Sequence, residues 1–179
     1  MMNLRVVSVA LASALGITPA AALEYPIGAP QSGGGLEIGA VYLQPVTMEP
    51  PGMMRPAEDS DIHLEADIHA LADNPNGLAE GEWAPYLVVD YKLTKDSGES
   101  LSGEMMPMVA SDGPHYGDNV KLMGPGRYTL VLTVKPPSAN MHAHFGRHVD
   151  AETGVGEWFA PFDLTYEFVF AGTGKKGAY

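Results

Sequence analysis

Along most of this chain the large apolar residues return at every second position, and no segment holds a period of 3.6. In Tyr128-Thr129-Leu130-Val131-Leu132-Thr133-Val134 the side chains of Tyr128, Leu130, Leu132 and Val134 fall on one face, and Phe162, Leu164, Tyr166, Phe168 and Phe170 do the same. That is the pattern of an extended strand, in which successive side chains point to opposite faces. The alternation predicts strands over Leu36–Val46, Ile62–Leu71, Tyr86–Thr94, Met105–Val109, Tyr128–Lys135 and Phe162–Phe170. Turn signals separate them: Asn74-Pro75-Asn76-Gly77, Asp96-Ser97-Gly98, Gly124-Pro125-Gly126 and Thr153-Gly154-Val155-Gly156. About seven short strands at this spacing argue for an all-β, two-sheet antiparallel sandwich. Gly81-Glu82-Trp83 and Gly156-Glu157-Trp158 each lead into a strand, with the Trp expected to plug a sheet edge.

The first residues read as an export leader. Arg5 supplies one positive charge, Val6 to Ile17 is nearly all apolar, and small residues close the run at Ala20-Ala21-Ala22. Residues 1–22 are therefore expected to be removed, leaving 179 − 22 = 157 residues. Such a length suits one domain, placed at 23–171, with a flexible tail at 172–179. The apolar run is shorter than the ~20 residues of a membrane span, so no direct membrane insertion is expected. The formal charge of −12, or −13 without Arg5, excludes nucleic acid as a natural partner, since phosphate contacts need clustered Lys and Arg. The chain has no cysteine, which removes thiolate metal sites and disulfides together. It has six histidines and, beyond the leader, eight methionines.

Three clusters carry chemistry. Ile62-His63-Leu64-Glu65-Ala66-Asp67-Ile68-His69-Ala70 places its apolar residues on one strand face and His63, Glu65, Asp67 and His69 on the other. Four potential ligands in a row without a lysine favour a metal over an ordinary solvated face. In the second cluster, Met106 and Met108 share a face, and the Gly113-Pro114 turn aims His115, with Asp112 placed to join or orient it. A thioether is a soft ligand suited mainly to copper. The third cluster, Met141-His142-Ala143-His144-Phe145-Gly146-Arg147-His148-Val149-Asp150, offers three more imidazoles, of which His148 is the best anchored. Because ligating imidazoles must be neutral, affinity should fall below about pH 6.

These segments together resemble the periplasmic iron-transport-associated copper-binding proteins of FetP type. The likeness runs through His63-Leu64-Glu65-Ala66-Asp67-Ile68-His69, Met106 to Gly117 and His148 to Gly156, and includes Glu24-Tyr25-Pro26-Ile27-Gly28 and Ala40 to Val46. The resemblance implies an immunoglobulin-like antiparallel β-sandwich that forms a homodimer, copper bound near the dimer interface, and an inner-membrane iron permease as partner. Carried over by position, the copper ligands are His63, Met108, His115 and His148, with Glu65 as a variable ligand. Asp112, with Asp67 and His69 nearby, marks a second cation site. The His142-Ala143-His144 stretch departs from the family pattern, which leaves His144 and then His142 as substitutes for His148.

The function expected is a periplasmic metal-binding protein of high-affinity iron uptake, binding copper and iron. The alternative is a periplasmic copper metallochaperone or copper-resistance protein. An enzyme, such as a copper-dependent oxidase acting on iron or a dismutase, is not expected, since nothing in the sequence marks a substrate pocket and neither a Ser/His/Asp nucleophile arrangement nor a phosphate-cradling glycine loop is present.

Overall fold

The computed structural model describes residues 24–174, so the leader and the last five residues of the tail lie outside the described residues. Nine strands form: β1 Tyr25–Pro26, β2 Gln31–Gly33, β3 Leu36–Leu43, β4 Ile62–Ala70, β5 Val88–Lys95, β6 Ser100–Ala110, β7 Gly113–Val120, β8 Gly126–Lys135 and β9 Phe162–Phe170. Two single 3-10 turns, Ala57–Asp59 and Pro137–Ala139, are the helical elements among the described residues. The all-β antiparallel expectation holds. The strands lie in the order β1-β3-β4-β7-β6-β5-β8-β9, with β2 beside β3.

β6 links the two halves of this path. Its residues 100–105 pair with β5, whereas Met106 to Ala110 pair with β7. Pro107 follows the switch, where it pairs with Tyr116 of β7 and no longer with β5. The path curls until β3 near one end faces β9 at the other. Tyr42 of β3 lies against Phe168 of β9 at 5.5 Å, and the Tyr166 hydroxyl donates to the Ile38 carbonyl at 2.9 Å. A row of rings, Tyr25–Tyr42–Phe168–Tyr128, continues through this seam. Each such ring pair is worth roughly 0.5–1.5 kcal/mol beyond its buried area.

The core fills the space enclosed by this curl. The alternating faces read from the sequence supply it: Leu64, Ala66 and Ile68 of β4, Leu130, Leu132 and Val134 of β8, and Leu164, Tyr166, Phe168 and Phe170 of β9 are all buried. Trp83 stacks on the buried Tyr116 at 5.2 Å, while Trp158 leans on Phe145 of the histidine-rich loop. The two similar Trp lead-ins thus pack in different settings.

The sequence reading differs from the structure in β7. Gly113-Pro114 is expected to be a turn that aims His115; instead it opens a full strand, Gly113–Val120, between β4 and β6. β6 is also longer than expected, because Ser100 to Glu104 continue it toward β5. β3 stops at Leu43, and residues 44–61 form a long connection across the polar face of β4.

Candidate metal centre

Strand register assembles the site. Between β4 and β7, His63 lies opposite Asn119 and Glu65 opposite Gly117; between β7 and β6, Gly117 lies opposite Met106 and His115 opposite Met108. Pairs directly opposite share a face. One face of three neighbouring strands therefore carries His63, Glu65, His115, Asn119, Met106 and Met108. The 44–61 connection covers that face, and Asn119 fastens it. The Val46 N–H donates to Asn119 Oδ1 at 3.1 Å, and Asn119 Nδ2 donates to the carbonyls of Val46 at 2.8 Å and Arg55 at 2.9 Å. The first half of β4's polar face and its β7 neighbour are consequently interior: His63 is 0 %, Glu65 5 % and His115 4 % exposed.

Three donor atoms converge there. Glu65 Oε1 lies 3.5 Å from His63 Nε2 and 3.3 Å from His115 Nε2. All three atoms fall within 4.8 Å of one another, close enough to hold one metal ion. The proton on His63 follows from Asn119. Both N–H bonds of the Asn119 amide point at carbonyls, so its Oδ1 is the acceptor for His63 Nδ1 at 3.0 Å. Nδ1 then carries the hydrogen, and Nε2 keeps a free lone pair. That Nε2 is buried with no hydrogen-bond partner. A Cβ at Gly117 would stand 2.6 Å from it, so glycine is the residue that leaves it room. A buried lone pair without a partner is costly in an apo protein and fits a cation.

The electrostatics agree. Burial pushes His63 down to about 4, despite its bond to Asn119, so the ring is a neutral donor at ordinary pH. The expectation that acid below pH 6 would protonate the site does not apply to this residue. Burial, reinforced by the charges of Asp67, Glu24 and Asp112, pushes the Glu65 carboxyl up to about 8. Asp67 is raised by burial, with His115 and His69 opposing the rise. Glu24 is raised by burial and by a side-chain hydrogen bond with Asp112. Several carboxyl groups that hold one another's protons form an environment that a cation would relieve.

Met106, Met108, Asp112 and Glu24 line the open cleft of about 690 Å³ above His63, Glu65 and His115, together with Met48 of the connection. Asp67 and His69 continue along β4, both half-buried. The loop histidines are elsewhere. His148 is 74 % exposed and His144 is exposed, while His142 lines a different cavity beside Met53 and Tyr86. None of the three lines the cleft. Sequence reasoning missed Asn119, Gly117, Met48 and Glu24 as site residues. Glu24 could have been found as the acid opening the Glu-Tyr-Pro-Ile-Gly segment; Met48, Gly117 and Asn119 lie in stretches to which the alternation assigns no strand.

The model of the family described as Fe2+ transport protein matches residues 21–172. The chain belongs to the Fe2+ transport protein family. Among relatives of this Fe2+ transport family member, a UPF0423 protein of Brucella abortus is 71 % identical over 161 residues, covering 89 % of this chain and 88 % of its own. The 34 kDa membrane antigen of Treponema pallidum is 43 % identical over 149 residues, covering 81 % and 72 %. FetP of uropathogenic Escherichia coli strain F11 is 52 % identical with a TM-score of 0.79, covering 84 % of this chain and 97 % of the FetP chain. Copper-reconstituted P19 of Campylobacter jejuni is 51 % identical with a TM-score of 0.81, covering 85 % and 99 %. P19 is thus solved with copper, as is a copper-bound variant of FetP 52 % identical to this chain.

Proposed function

We propose that this family member is a periplasmic protein of high-affinity iron uptake that binds copper at His63, His115 and Met108, with Glu65 as a carboxylate that engages or releases according to oxidation state. The observation that carries the reading is the partnerless lone pair of His63 Nε2, buried beside His115 and Glu65. Two imidazoles and a thioether suit both copper oxidation states, and a carboxylate adds a hard oxygen for Cu(II) or iron. Bound there, copper would supply one-electron chemistry. The chain's own residues hold the donors: Asn119 orients His63, Gly117 clears its Nε2, and the 44–61 connection limits water.

The third imidazole is His148 from a second copy in a homodimer. Within one chain His148 is exposed and lines no part of the cleft, which supports donation to a partner. The fold is an immunoglobulin-like sandwich in this reading. Asp112, with Glu24, Asp67 and His69 nearby, forms the second cation site, where iron binds before an inner-membrane permease takes it up. The lining of Met48, Met106 and Met108 also supports a second reading, a Cu(I) carrier.

Titration of the mature protein with Cu(II), Cu(I), Fe(II) and Mn(II) tests the assignment. Copper binding should weaken in Met108→Ala and His148→Ala, whereas Fe(II) and Mn(II) binding should survive those changes and fall in Asp112→Asn. Mixing His148→Ala with His63→Ala chains should restore one copper site per heterodimer. Copper binding indifferent to both Met108 and His148 would overturn the ligand set. Cu(I) transfer to an acceptor, with normal growth under iron limitation, would favour the carrier.

A further inference from the structure

We infer that Thr153 and Asp150 are positioning residues that hold His148 in a single tautomer and turn the lone pair of its Nε2 outward as a metal donor. The inference rests on the reading of His148 as a ligand given to a neighbouring copy.

The turn that carries His148 is built around Asp150. Its Oδ1 accepts the N–H groups of Glu152 at 3.2 Å and Thr153 at 2.9 Å, and its carbonyl accepts the Gly154 N–H at 2.9 Å. The Val155 N–H returns to the His148 carbonyl at 3.1 Å. Gly154 runs so close to the Asp150 carbonyl that no Cβ fits there. Five residues beyond His148 the chain is thus folded back beside it, and the Thr153 hydroxyl reaches the ring.

That hydroxyl fixes the proton. Thr153 Oγ1 lies 3.1 and 2.9 Å from the two carboxylate oxygens of Asp150, and 2.7 Å from His148 Nδ1. A hydroxyl has one hydrogen, and an ionised carboxylate can only accept. The hydrogen goes to Asp150, so Thr153 Oγ1 presents a lone pair to the imidazole. His148 Nδ1 must then carry its N–H, and a neutral ring has only one. Nε2 is left as the donor atom, on a ring that is 74 % exposed and free to enter another molecule's cleft. His63 is oriented in the same sense by Asn119, so two imidazoles of different exposure are prepared by the same device. Outer partners of this kind typically change metal affinity about 10–100-fold.

The test begins on chelator-treated, ¹⁵N-labelled protein at pH 8, where two-bond proton–nitrogen correlations report the tautomer of each neutral imidazole. Wild type and Thr153→Ser should show His148 with hydrogen on Nδ1, and Thr153→Val a mixture. Valine retains the backbone N–H that Asp150 accepts, so the turn persists. Copper affinity in the full-length homodimer should fall about 10–100-fold in Thr153→Val and recover in Thr153→Ser. A Thr153→Val protein with unchanged tautomer and unchanged affinity, alongside a His148→Ala protein that binds copper weakly, would remove the positioning role alone. Copper affinity unchanged in His148→Ala would remove the ligand reading instead.

Discussion

Protons should leave this protein when copper enters it, and Glu65 sets how many. Its carboxyl is held at about 8 by burial and by Asp67, Glu24 and Asp112. At pH 7 such a group is roughly 0.9 protonated; at pH 8 it is about half protonated, and at pH 9 about 0.1. Coordination needs the carboxylate, so that share of a proton is expelled per copper bound. His63, lowered to about 4, contributes nothing to this above about pH 5. The contribution of Glu65 is read as the difference between wild type and Glu65→Gln. Calorimetric titration with Cu(II) in buffers of different ionisation enthalpy should show about 0.9 more protons released by wild type at pH 7, shrinking to about 0.1 at pH 9. The same linkage makes wild-type affinity rise about tenfold from pH 6 to pH 7 relative to the variant, one pH unit being 1.36 kcal/mol. Equal proton release by the two proteins at pH 7 would refute the reasoning, either because Glu65 is already ionised or because it does not ligate.

Three further outcomes follow from the same geometry. Gly117→Ala puts a methyl group 2.6 Å from His63 Nε2 and 3.3 Å from the Leu64 carbonyl, so copper binding should be lost with a stability cost of about 1–3 kcal/mol, checked by titration and thermal melting. Asn119→Ala releases the His63 tautomer and three bonds to the 44–61 connection; copper affinity should fall about 10–100-fold, and hydrogen exchange at the Val46 amide should accelerate. Metal-free protein should lose stability as pH rises from about 4.5 toward 8, because the folded Glu65 carboxyl binds its proton more tightly than the unfolded one. Calorimetric melts with and without copper should therefore show a larger copper upshift at pH 8 than at pH 6, and Glu65→Gln should flatten that trend.

The parts of this fold that could be read in advance are those whose two faces differ. β8 and β9 alternate large apolar and polar residues, and β4 alternates apolar residues with ligands, so their strands and inward faces were legible. β7 was not, because its site-facing positions are His115, Gly117 and Asn119, and its other face begins with Pro114. Each of those residues is there for the site: a donor, a clearance and an orienting amide. Their combined effect on the sequence is to hide the strand alternation behind the Gly113-Pro114 turn signal. The polar face of β4 was legible as a ligand row but not as interior, since its cover comes from a connection with no periodicity of its own. His148 was legible as anchored by Asp150, yet the position of its ring outside the cleft of its own chain could not be read from spacing.

A chain without cysteine has no covalent means of joining distant segments, yet the site lies across β4 and β7. A cation gripped by His63 and His115 ties together positions about fifty residues apart. Were it to stay attached as the chain opened, it would restrict the unfolded ensemble as a disulfide of that span does, by roughly 4 kcal/mol. Such a tie depends on metal supply and acidity rather than on oxidising power. Starved of copper, the protein would surrender a removable staple between β4 and β7.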